Sequence, residues 1–214
     1  MMSRGSYLSF IQTHRMVSEA MLGKTHLVFG LMTLAGVDAL TGLVQPHPVK
    51  DIPIGPFLCI GAVILGSLAP DIDAEESQIR YELGEAGLAL SNWLQSFGVE
   101  HRGLTHYGVV TLAILVFSGL LGWWLGYPDV VLAFGLVYLS NVLSDSLTIS
   151  GTPLLWPLQK GQNFHLLPAA LRIRTGGPVE PLIFIVVTGL LVFLLPSLVS
   201  AEFASIISMM SGER

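Results

Sequence analysis

The sequence predicts an all-α, polytopic membrane protein with about five transmembrane helices and one amphipathic helix lying at the interface. Three observations carry that expectation. The 214-residue chain is 52% hydrophobic and 12% charged, with a mean hydropathy of +0.68, too apolar for an ordinary soluble domain. Apolar segments at 26–44, 53–69, 106–126, 130–148 and 181–200 each approach the roughly 17–25 residues with which a helix crosses about 30 Å of hydrocarbon. Between the second and third, Ile79, Leu83, Ala86, Leu90, Trp93, Leu94 and Phe97 recur at helical spacing, while most of Glu75, Glu76, Arg80, Glu82 and Glu85 fall on other faces.

Residues 1–20 read as an N-terminal extension, open to disorder. Arg4 and Arg15 flank only a short apolar patch, and no small-residue cleavage site follows, so the stretch is not a secretory signal. A single membrane-embedded domain is expected over 21–207, with 208–214 as a tail. The first apolar segment carries Asp38 close enough to its end to be solvated or to cap the helix, and Gln45-Pro46-His47-Pro48 then breaks it. The second ends at Pro70-Asp71-Ile72-Asp73. Only Gly126-Tyr127-Pro128-Asp129 separates the third from the fourth, which makes those two antiparallel neighbours. From Ser150 to Glu180, Pro153, Pro157, Pro168 and Pro178 exclude a long helix and predict a structured loop.

Several function classes drop out. A net charge of −5 with no basic stripe argues against a nucleic-acid partner. Cys59 is the lone cysteine, so neither an internal disulfide nor a thiolate metal cluster can form, and it reads as a small buried apolar residue. The lipid bilayer is the partner that composition implies. Nothing in the sequence names a protein partner.

Five crossings would put the N-terminus, the 70–105 segment and the 149–180 segment on one side. That side holds Arg4, Arg15, Lys24, Arg80, Arg102, Lys160, Arg172 and Arg174, against Lys50 and Arg214 on the other, and is therefore cytoplasmic in a multi-pass membrane protein. The same topology gathers His26, Asp71, Asp73, His101, His106, Asp145 and Glu180 at that one face. Groups with metal-ligand chemistry would scatter if placed by chance.

The hexapeptide His101-Arg102-Gly103-Leu104-Thr105-His106 stands directly before the third segment, where imidazoles and a guanidinium are costly to bury. Gly103 permits a tight turn that aims both rings at one point, and imidazole with carboxylates makes a mixed N/O site suited to zinc. The plainer reading has Thr105 as N-cap with His106 solvated. Asp71 and Asp73 at a helix exit repel each other and the C-terminal dipole unless a cation or donors compensate. Asn141 and Asp145, four apart, share a helix face, with Asn141 either a neutral ligand or a hydrogen-bonding neighbour. Arg102 suits a phosphoryl oxygen or simply sets topology.

Thr25-His26, Pro70-Asp71-Ile72-Asp73, His101 to His106, Asp145 with Thr148 and Gly151, and Pro153-Leu154-Leu155-Trp156-Pro157 together resemble the YdjM-like family of bacterial inner-membrane, metal-dependent hydrolases. That family is distantly similar to the zinc phospholipase C superfamily. The resemblance implies metal roles for His26, Asp71, Asp73, His101, His106, Asp145 and Glu180, with one to three divalent ions, zinc foremost. It further implies hydrolysis of a lipid or other phosphate ester by metal-activated water, with Asp71 or Asp73 handling a proton and Arg102 stabilising developing charge. Where the family usually has a histidine four before the fourth segment's Asp, this chain has Asn141. Amide hydrolysis, a metal-ion carrier, and a non-catalytic membrane partner with a structural metal are the rival readings.

Overall fold

The computed structural model describes residues 4–44, 48–49, 52–53, 55–73, 83–96 and 103–193, with side-chain surroundings in the first helix given from residue 23 onward. They form α1 (Arg4–Thr41), α2 (Gly55–Leu68), α3 (Gly84–Ser96), α4 (Gly108–Leu125), α5 (Pro128–Asp145) and α6 (Val179–Phe193). Short 3-10 turns at Ala69–Asp73, Leu104–His106 and Ala169–Leu171 and one two-residue antiparallel pair, Pro48–Val49 with Ile52–Pro53, complete the described elements. The fold is all-helical, as expected. α1 begins at Arg4, so the helix takes in most of the segment that the sequence sets apart as an extension.

The expectation of five membrane crossings meets a narrower finding. Among the described residues only α4 is long and apolar enough to cross a membrane, with a mean hydropathy of 2.0. Leu58–Ile72 and Val179–Phe193 are apolar but shorter, and α5 carries Asp129 and Asp145 at its two ends. Leu112, Phe117 and Leu120 of α4 are exposed, as on a helix whose flank faces lipid and not a protein core.

α5 is the central rod, packing against α1, α2 and α4. Pro128 opens it at a position where no amide hydrogen is needed, and Asp129 sits in its first turn, where the helix dipole favours negative charge. The preceding helix closes at Gly126, whose φ of 79° is the left-handed conformation that glycine adopts without strain. Leu34 of α1, Cys59 and Val63 of α2 and Ala133 and Val137 of α5 form one buried cluster, so Cys59 is the small apolar core residue that the sequence suggested. Asp38 accepts the Val44 amide at 2.7 Å, which realises the capping role at the end of α1.

α2 and α5 approach closely at Gly66, where a β-carbon would stand 2.7 Å from the backbone oxygen of Phe134. Backbone cannot be pushed aside as a side-chain tip can. Gly66→Val is therefore expected to cost roughly 1–3 kcal/mol through overpacking, read as a lowered midpoint of detergent-solubilised unfolding. An unchanged midpoint would show that the two helices are not held at this spacing.

α3 turns its small residues Gly87 and Ser91 inward, while Leu90 and Trp93 are exposed. The apolar stripe read from the sequence thus faces away from the body of the protein. Ile79 and Phe97 of that stripe lie outside the described residues, as does the side chain of Leu94.

Candidate metal centre

Two turns and the interior of α1 meet at the C-terminal end of α5. Asp145 is its last residue and His106 closes the turn before α4, both with no exposed surface. Asp71 lies in the turn that follows α2, and its side chain keeps 15% exposure. One donor atom from each of Asp71, His106 and Asp145 lies within 4.8 Å of the others. His106 Nε2 stands 3.3 Å from Asp145 Oδ2 and 3.7 Å from Asp71 Oδ1. His26, in α1, faces the other oxygen of the same carboxylate, with Nε2 3.4 Å from Asp145 Oδ1. The plainer reading, in which His106 is solvated, is overturned: its ring is fully buried. Thr105 does not cap α4 either, since Tyr107 holds that position and makes no side-chain cap.

These separations fit ligands around an ion better than ion pairs. A charge-assisted N–H···O bond closes to about 2.7–2.9 Å, whereas donors around a tetrahedral ion with bonds of about 2.0–2.1 Å stand roughly 3.3–3.4 Å apart. Hydrogen bonding behind the rings points the same way. Ser144 donates its hydroxyl to the Asn141 carbonyl at 2.8 Å, and its oxygen lies 2.8 Å from His26 Nδ1, which suits the tautomer that donates from Nδ1. In the neutral ring this leaves a lone pair, not a proton, on the Nε2 that faces Asp145. Two lone pairs in a buried space repel unless a cation lies between them. Thr105 Oγ1 bonds Nδ1 of His106 at 3.0 Å, and Tyr138 Oη holds the turn by donating to the Thr105 carbonyl at 2.7 Å. Asp71 Oδ1 is buried and makes no hydrogen bond to any described residue. The donor set therefore fits a divalent ion, and zinc within that class.

Asn141 has a definite place. Its amide nitrogen donates to the Ser67 carbonyl, near the end of α2, and to Asp71 Oδ2 at 3.4 Å. It thereby holds the Asp71 carboxylate from behind. Glu180, expected as a ligand, is 3% exposed and accepts Thr25 Oγ1 at 3.1 Å and the Gly176 amide at 2.6 Å. It lines a cavity of about 30 Å³ together with His26 and Asp145, so it flanks the centre with both oxygens already engaged. His101 and Arg102 lie outside the described residues, as does the side chain of Asp73. Sequence reading missed Ser144 and Tyr138, and it assigned Thr25 no hold on Glu180 and Thr105 no part in orienting His106. Ser144 gives a faint signal as a hydroxyl next to Asp145, but Tyr138 gives none.

Residues 21–209 match the family described as YdjM inner membrane protein. The chain belongs to the YdjM family. Inner membrane protein YdjM of Escherichia coli (strain K12) is 36% identical over 101 residues, 46% of this chain and 48% of that protein. The Shigella flexneri protein of the same name gives the same values. The match thus spans about half the length of these curated relatives. No solved structure matches the chain. Membership of the YdjM family places the protein in the inner membrane and associates it with the lipid bilayer.

Proposed function

We propose that this YdjM-family protein is a membrane-bound, metal-dependent hydrolase, a phosphoesterase acting on a lipid or another phosphate ester at the cytoplasmic face. One observation carries the reading: donor atoms of Asp71, His106 and Asp145 converge within 4.8 Å in a buried space. A divalent ion held there supplies Lewis acidity, which acidifies water and draws electron density from a phosphoryl group. His106 and Asp145 hold the ion, and His26 secures the second oxygen of Asp145. Asp71 is the only member of the converging trio with any exposure, which suits it to pass a proton to or from solvent. Asp73, His101 and Arg102 keep the roles expected from the sequence. In this reading the chain crosses the membrane five times, with eight of its ten basic residues on the cytoplasmic side.

Transporters usually place their coordinating groups near the bilayer midplane on broken helices, and here they stand at helix ends, which disfavours an ion carrier. A second reading, a structural metal in a partner protein without turnover, is favoured by the complete burial of His106 and Asp145, because closed sites are the structural kind. Headgroup release from phospholipid in mixed micelles, with and without added zinc, decides between them. Zinc-dependent release that His106→Ala lowers by at least about a thousandfold is expected for the hydrolase, on the scale of losing a group that acts on reacting charge. Bound zinc without release of any headgroup or simpler phosphate ester would leave the structural reading.

A further inference from the structure

We propose that the segment between Asp145 and Glu180 is a docking face for anionic phospholipid headgroups, distinct from the metal centre and independent of hydrolysis. This stretch contains Lys160, Arg172 and Arg174 and no Asp or Glu, in a chain whose net charge is −5. Among these cations stand strongly exposed apolar side chains: Leu158 is 88% exposed, Leu171 65% and Leu166 56%. A loop that met only water would gain nothing from such leucines. Cations interleaved with protruding apolar groups match a bilayer surface, where phosphate oxygens meet the first methylenes.

The loop is fixed at that level. The Gly108 amide donates to the Leu154 carbonyl at 2.9 Å, and Tyr107 and Trp156 stack with ring centroids 4.5 Å apart. Both contacts clamp the segment to the start of α4, the helix that is long and apolar enough to cross the membrane. Leu158, two residues after Trp156, therefore lies close to where the hydrocarbon of that span begins. At its root the loop is tied to the end of α5, with the Leu166 amide on the Ser146 carbonyl at 2.9 Å and the Ile173 amide on the Leu147 carbonyl at 3.0 Å. Arg172 is partly used inside the loop, where Nε donates to the Leu167 carbonyl. Lys160 and Arg174 are exposed. They are the two charges that face headgroups.

The test uses the full chain in detergent micelles, stripped of metal so that turnover does not enter. Phosphatidylglycerol and phosphatidylcholine are titrated separately, and bound lipid is counted by native mass spectrometry. Phosphatidylglycerol should bind at least about tenfold more tightly, since a basic side chain near a lipid surface is worth about fivefold. Lys160→Gln combined with Arg174→Gln should remove most of that preference, and added salt should weaken it in the unsubstituted protein. Equal binding of the two lipids, or a preference that survives both the double substitution and salt, overturns the proposal. Absence of hydrolysis would leave this result untouched.

Discussion

Asp145→Asn is expected to abolish stoichiometric metal binding. Asp145 is fully buried at the end of α5, and each of its oxygens faces a different imidazole, His106 at 3.3 Å and His26 at 3.4 Å. Asparagine keeps the volume but removes the negative charge and turns one of those oxygens into an N–H donor. Outer contacts alone are worth about 10–100-fold in metal affinity, so losing the central carboxylate should cost more than about 100-fold. Elemental analysis of protein purified in detergent reads this directly. The same substitution should leave the metal-free protein at least as stable as its parent, because it removes a buried charge that needs a cation. Full metal content in the variant would remove the centre from consideration.

Chelation of the unsubstituted protein should lower its apparent unfolding temperature by roughly 10 °C, and zinc should restore it. An ion at about 1,000 times its dissociation constant contributes about 4 kcal/mol to the folded state, worth about 2–4 °C per kcal/mol at this chain length. The reason is structural: the centre ties α1, the turn after α2, the turn before α4 and the end of α5 together through His26, Asp71, His106 and Asp145. Calcium should not restore the transition, since it needs six to eight oxygens at longer distances, and the donors here are few and include imidazole. Superimposable melting curves before and after chelation would mean that no ion joins these elements.

The site was largely legible because its residues are costly. Charged and imidazole side chains within apolar segments stand out against their surroundings, and a count of crossings placed them at one end. His26, Asp71, His106 and Asp145 were all found in this way, and they do meet. Their geometry was not legible. The turn at Leu104–His106 places His106 inside the protein, where an ordinary N-cap at Thr105 would have left it in water. That choice depends on Tyr138, thirty-three residues away, holding the turn. The role of Glu180 was equally out of reach, because its partner Thr25 stands 155 residues away in the chain and only Gly176 is local.

By itself, the sequence determined that the protein is helical, that it belongs with membranes, and that His26, Asp71, His106 and Asp145 are candidates for one site. Those properties follow from composition and from the period of hydrophobicity, which are local and additive along the chain. Only the tertiary structure decided which donors stand an ion's width apart, which imidazole nitrogen faces Asp145, and that Asn141 steadies Asp71. These depend on angles between helices and on close approaches such as the one at Gly66, set by packing between residues far apart in the chain.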